Sequence, residues 1–104
     1  MSPSVHIYGH YVDNQLVSVM TATFMLVMPH VDSPSGRIVH ISGAYTHPDF
    51  RYRSIASRLL REIEDDARMY FHADYLCCDS SADGLYISNG FEKSEETRLW
   101  KKLL

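Results

Sequence analysis

The hydrophobic pattern of the chain changes period at Ile55, and that switch limits the folds open to it. Ahead of it the sequence reads as strands. Residues 5–12 alternate loosely and are rich in Val, Ile and Tyr; residues 16–28 are heavy in Val, Thr, Met and Phe. The polar turn Asp13-Asn14-Gln15 between them makes a hairpin the default. Residues 29–36, with Asp32-Ser33-Pro34-Ser35-Gly36, form a loop by composition. Residues 37–46 are a third strand, stopped by His47-Pro48. From Ile55 onward the apolar positions Ile55, Leu59, Leu60, Ile63 and Ala67 fall at helical spacing. Arg58, Arg61, Glu62, Glu64, Asp65, Asp66 and Arg68 fill the other face, with Arg58 and Glu62 placed to pair at i,i+4. Residues 75–78 are a short buried strand, 82–88 a short helix closed by Asn89-Gly90, and 97–103 a last strand. The order strand, strand, strand, helix, strand, helix, strand predicts an α/β (α+β) fold. Its central sheet is mixed and mostly antiparallel, with one βαβ unit.

With 104 residues, 45% of them hydrophobic, the chain suits a single domain over 1–104. Ten Lys and Arg against thirteen Asp and Glu give a formal charge of −3, and a grip on nucleic acid usually needs a basic excess. No apolar stretch is long enough to cross a bilayer and nothing at the start reads as a signal peptide, so no membrane partner is expected. The only cysteines, Cys77 and Cys78, are adjacent. They fall on opposite faces of a strand, where core packing is the default, and their number fits the reducing cytoplasm. His6 and His10 lie ~13 Å apart on an extended strand, too far to share one ion, so no metal is expected.

The chemistry concentrates in the loop joining the third strand to the long helix, His47-Pro48-Asp49-Phe50-Arg51-Tyr52-Arg53-Ser54-Ile55-Ala56. A turn that opens a helix presents free backbone N–H groups at the positive end of the helix dipole, which favours anions. Arg51 and Arg53 add positive charge, although arginines near a helix start are often plain surface charge.

This loop and its helix, THPDFRYRSIASRLL, resemble motif A of the GNAT N-acetyltransferase superfamily, Arg/Gln-x-x-Gly-x-Gly/Ala, with Arg51 first and Ala56 last. Downstream, DSSADGLYISNGFEK resembles motif B of the same family, Asn-x-x-Ala-x-x-Phe/Leu-Tyr-x-x-x-Gly-Phe. Ala82, Leu85, Tyr86, Gly90 and Phe91 match in spacing, and Asp79 stands where Asn is usual. The resemblance runs from about residue 12 to the C-terminus and implies acetyl transfer from acetyl-CoA to a primary amine of a small molecule or a protein lysine. Under it, the backbone of Arg51, Tyr52, Arg53, Ser54, Ile55 and Ala56 cradles the CoA pyrophosphate. The main chain of Ala44, Tyr45 and Thr46 pairs with the pantetheine like an added strand. Asp79 sits beside the pantetheine arm, and Tyr86 protonates the departing thiolate. Two bland alternatives stand beside these roles. The Tyr86 ring could simply pack on the sheet, and His40 could be a half-buried strand residue without a task. Under the resemblance, His40 occupies the site where the branch acting on protein lysines carries a glutamate base. Histidine suits that role because it titrates near neutrality.

Two departures from the family pattern matter. Ser54 replaces the motif-A glycine, which can adopt positive φ and lets phosphate approach the backbone, and bulky Tyr52 fills a slot often held by glycine. The strand and two helices that usually open such a domain are missing, so an N-terminally abbreviated form is expected. Two readings follow: a minimal acetyltransferase, or a degenerate module of the same fold that binds CoA weakly or not at all and acts through protein contacts. A homodimer is expected because the missing cover leaves apolar surface to bury.

Overall fold

The computed structural model describes residues 3–51, 53–79, 83–93 and 99–103. Strand β1 (Ser4–Val12) turns into β2 (Gln15–Leu26) and then β3 (Arg37–Thr46). Helix α1 (Ile55–Asp66) follows, then β4 (Tyr75–Cys78), α2 (Asp83–Ser88), β5 (Glu92–Lys93) and β6 (Leu99–Lys102). One six-stranded sheet runs in the order β1-β2-β3-β4-β6-β5, and among the described residues only the β3–β4 pair is parallel. The mixed, mostly antiparallel sheet and its βαβ unit agree with the sequence reading. Strand β5 was not anticipated. Ala82 and Thr97, expected starts of the second helix and last strand, lie outside the described residues.

The hairpin turn is tighter than the three polar residues suggested. Val12 pairs with Gln15, leaving Asp13 and Asn14 as a two-residue loop with φ of 48° and 65°. Positive φ at both positions belongs to a type I′ turn, whose twist matches that of the strands, and Asp and Asn tolerate it better than most residues. In the β2–β3 loop, Gly36 has φ 75°, and a Cβ there would lie 2.3 Å from the Val27 carbonyl oxygen. That loop is pinned by Asp74, which is buried and accepts hydrogen bonds from Ser33 Oγ at 2.7 Å, Ser35 Oγ at 2.7 Å and the Ser35 N–H at 2.9 Å. Burial would push the Asp74 carboxyl up, but these three bonds and the Arg37 charge together hold it below its ordinary value.

Helix α1 buries Ile55, Leu59, Leu60 and Ile63, with Ala67 just beyond, the same five positions that the period picks out. Leu59, Leu60, Ile63 and Ala67 pack against Met20, Ala22, Phe24, Val39, Ile41 and Leu76 of the sheet, together with Tyr86 and Phe91. A side chain from this set contributes roughly 1.5–3 kcal/mol when fully buried. On the solvent side of α1 the pairing differs from expectation. Among the described residues Arg58 and Glu62 do not pair. Glu64 instead binds Arg68 at 3.3 Å and reaches Lys101 of β6 at 2.6 Å. After Asp66 the helix widens into a π turn, Ala67–Phe71, closed by His72 in the left-handed region at φ 54°.

The other side of the sheet carries no helix among the described residues. Ile38, Tyr75 and Cys77 cluster there with Met25, Val27 and Trp100. Cys77 and Cys78 are both buried and not disulfide-bonded, on opposite faces as alternation requires.

Candidate active site

The sheet opens where β3 and β4 part. Their parallel pairing covers Ile38 to Ile41 against Tyr75 to Cys78 and stops there, while β3 continues to Thr46. Just past that point the β2–β3 register slips: Thr21 faces Ser42, but Val19 faces Tyr45. One residue of β2 therefore opposes Gly43 and Ala44, a β-bulge with Gly43 at φ 62°. The bulge turns the tail of β3 and leaves Ser42 to Thr46 without a β4 partner. On the β2 side the tail is held firmly. Ser18 Oγ lies 2.9 Å from Thr46 Oγ1 and donates to the Tyr45 carbonyl at 3.2 Å.

Beyond the tail, a cleft of about 540 Å³ lies between Thr46, the loop residues Phe50, Arg51 and Ser54, the first turn of α1, and Gly84 and Leu85 of α2. Ser54 is the N-cap of α1 and sits in the left-handed region at φ 60°, ψ 19°, with no capping bond from its side chain. Its conformation is the one that glycine adopts at no steric cost, and a serine held there is strained by about 1 kcal/mol. The uncapped first-turn N–H groups give this wall of the cleft a positive potential. Arg51 lines the cleft and ties the loop back to the strand, its Nε donating to the Thr46 carbonyl at 3.1 Å. Asn89 closes the far side: its amide donates to Ser57 Oγ at 3.1 Å and to the Leu85 carbonyl at 2.8 Å, joining the end of α2 to the start of α1.

The expected site residues fall in different places. Thr46, Arg51, Ser54, Ile55 and Ala56 line the cleft. Ala44 and Tyr45 lie on the exposed tail of β3. Arg53 does not line the cleft; its guanidinium stacks over the Phe50 ring, 5.2 Å from the centroid. Tyr52 lies outside the described residues. Tyr86 is buried, 2% exposed, with its ring edge-on to Phe91 at 5.2 Å, and it stands one residue behind the cleft residue Leu85. Burial, with Cys78 close by, pushes its phenol up to about 12, so it stays protonated at neutral pH. His40 is half-buried on the helix-free face, in a row with Thr23, Cys77 and Trp100 across the sheet. Its Nε2 lies 3.2 Å from Asp79 Oδ2, just past the end of β4. Asp79 thus meets His40, a contact the sequence reading did not anticipate. Phe50, Ser57, Gly84, Leu85 and Asn89 were also missed. The glycine two positions before Tyr86 and the hydroxyl following Ala56 were visible as small residues, but only the folded chain brings them together.

An open strand edge runs into an uncapped helix start, an arrangement whose free N–H groups suit an extended, anion-bearing molecule. The family comparison agrees with that geometry: the acetyltransferase (GNAT) domain matches residues 3–93. The chain belongs to the GNAT acetyltransferase domain family. A comparison with the curated proteins finds no match. Among solved structures it is similar to a predicted acetyltransferase of Clostridium acetobutylicum with acetyl-CoA (23% identity, TM-score 0.80, 88% of this chain and 60% of that one). It is also similar to an acetyltransferase of Bacillus cereus (18%, 0.77, 97% and 74%). An aminoglycoside 6'-N-acetyltransferase of Acinetobacter haemolyticus gives 21%, 0.71, 88% and 65%. At these identities the likeness is one of fold, and the chain spans 60% to 74% of the length of these three. Among the described residues no helix is long and apolar enough to cross a membrane, and no group of three or more His, Cys, Asp or Glu is placed to hold a metal.

Proposed function

We propose that this chain transfers the acetyl group of acetyl-CoA to a primary amine by direct attack in a ternary complex. The observation that carries the reading is the continuity of the unpaired β3 tail with the uncapped N-terminus of α1. In this reading the pantetheine adds to the edge at Ala44, Tyr45 and Thr46 as a strand would. The pyrophosphate rests on the N–H groups from Ser54 onward, with Arg51, Tyr52 and Arg53 beside it. The CoA-bound and acetyl-CoA-bound structures among the neighbours support this choice of ligand.

The amine lone pair attacks the thioester carbonyl carbon, the C–N bond forms and the C–S bond breaks. The departing thiolate takes the Tyr86 proton, which its raised pKa keeps available. The proton lost by the amine goes to His40. Asp79 accepts from Nε2, which fixes the tautomer and leaves the Nδ1 lone pair free to act. Tyr86 and His40 are then the catalytic pair, and Asp79 beside the pantetheine arm also positions His40.

The acceptor is a small amine or a protein lysine, and the −3 charge favours a cationic one. The chain works as a homodimer, for which the exposed Val5, Ile7 and Tyr11 of edge strand β1 supply apolar surface. Its two cysteines, which form no disulfide, fit the cytoplasm. Calorimetric titration with acetyl-CoA tests the reading: micromolar binding, followed by turnover with amines or lysine peptides, supports it. The absence of binding favours the second reading, a module of the same fold that has lost its cofactor, for which the strained Ser54 is the motive.

A further inference from the structure

A further cavity, of about 340 Å³, lies at the other end of α1 and shares no lining residue with the acetyl-CoA cleft. The rise of the helix separates Asp66 from Ile55 by about 16 Å. Its walls are Ser4, His6, Tyr8 and Phe24 from the hairpin, Asp66 from the last position of α1, and Tyr70 and Phe71 from the π turn. Five of these seven side chains are rings. His6 meets Phe24 edge-on at 5.0 Å, and Phe24 meets Phe71 edge-on at 5.4 Å, so the ring planes stand nearly at right angles. The widened π turn swings Tyr70 and Phe71 to the same side as Asp66; turns of this kind recur at binding sites.

Asp66 is the carboxylate of the pocket, and His6 is the basic group among its lining residues. Asp66 Oδ2 accepts a hydrogen bond from the Tyr8 hydroxyl at 2.7 Å. Burial, that bond and the charges of Asp66 and Glu62 drive the Tyr8 phenol well above its ordinary value, so Tyr8 stays a neutral donor and leaves the carboxylate charge uncancelled. Among the described residues no lysine or arginine pairs with Asp66. Ring faces next to a carboxylate attract a cation that is itself weakly hydrated and partly apolar. A bare metal ion would find a single carboxylate here and lose more hydration than it regained.

We propose that this pocket binds a free organic cation, an alkylated ammonium whose charge sits between Asp66 and the ring faces and whose alkyl groups fill the apolar walls. The volume is at the lower end of the range for small-molecule sites and fits such a compound. The site is separate from the acetyl-transfer chemistry and stands whether or not that reading holds.

The test is an NMR titration of the whole chain with choline, compared with 3,3-dimethylbutan-1-ol, which has the same shape without the charge. Choline should cause saturable shifts at Tyr8, Phe24, Tyr70 and Phe71, and the neutral isostere should bind about tenfold more weakly. Asp66→Asn should weaken choline about tenfold as well. Tyr70→Ala, a change at an exposed ring that leaves the core intact, should weaken it about threefold and keeps the test sound if Asp66→Asn unfolds. Equal binding of the isostere, shifts that map to the acetyl-CoA cleft, or no saturation would overturn the proposal. A peptide bearing trimethyllysine separates the sources of the ammonium: if it binds as tightly as choline or tighter, the free-cation assignment fails.

Discussion

His40 and Asp79, thirty-nine residues apart in the chain, meet at 3.2 Å across the end of the parallel β3–β4 pair. A histidine in contact with a carboxylate has one nitrogen committed as a donor, which defines the other as the acceptor. His40→Ala should lower kcat by about 100-fold and leave acetyl-CoA affinity unchanged. Asp79→Asn should lower it less, and the double variant should be no slower than His40→Ala alone, since the two act as a unit. Additive losses in steady-state kinetics would show that Asp79 acts elsewhere.

Tyr86→Phe keeps the buried ring and its contact with Phe91. The variant should fold and bind acetyl-CoA normally while kcat falls about 100-fold. The phenol pushed up to about 12 also has a stability consequence. Because the folded value exceeds the unfolded one, near 10, stability holds below about pH 10 and declines as pH rises toward the folded value. Alkaline denaturation followed by circular dichroism should be less steep in Tyr86→Phe.

Ser54→Gly removes the left-handed strain but loosens the unfolded chain, for a net gain of about 0.5 kcal/mol. It should also tighten acetyl-CoA, since phosphate can then approach a backbone without a Cβ. Ser54→Val should lower both the melting temperature and the affinity. An unchanged affinity in Ser54→Gly would show that the phosphate does not rest against this residue.

Asp74 has a folded value below its unfolded one, so its contribution is complete above about pH 4 and is lost as pH falls through the folded value. Asp74→Ala should cost about 2 kcal/mol at neutral pH by stranding the buried Ser33 hydroxyl. Asp74→Asn should flatten the acid limb of the stability curve, measured by urea unfolding between pH 3 and about pH 7.

What could be read from the sequence was whatever has a period or a local turn chemistry. The five apolar positions of α1 declared both the helix and its buried face, and Asp13-Asn14 declared the hairpin. Strand β5 escaped because Glu92 and Lys93 are exposed charges that take their conformation from β6 alone. The π turn escaped because helical spacing carries no sign of one extra residue per turn. In the site, the loop from Arg51 to Ala56 was marked by its motif-like spacing. Phe50, Gly84 and Asn89 entered only through tertiary contact, and so did the pairing of His40 with Asp79.

The bulge at Gly43 and the early end of the β3–β4 pairing part those two strands beyond Ile41 and Cys78. Tyr86 belongs to the helix-packed side, whereas His40 belongs to the side without helices. Under the proposed chemistry the sheet becomes a partition: a proton is taken up from the amine on one face and another is delivered to sulfur on the opposite face. Each turnover would then leave His40 and Tyr86 to be reset independently, through separate exits to water.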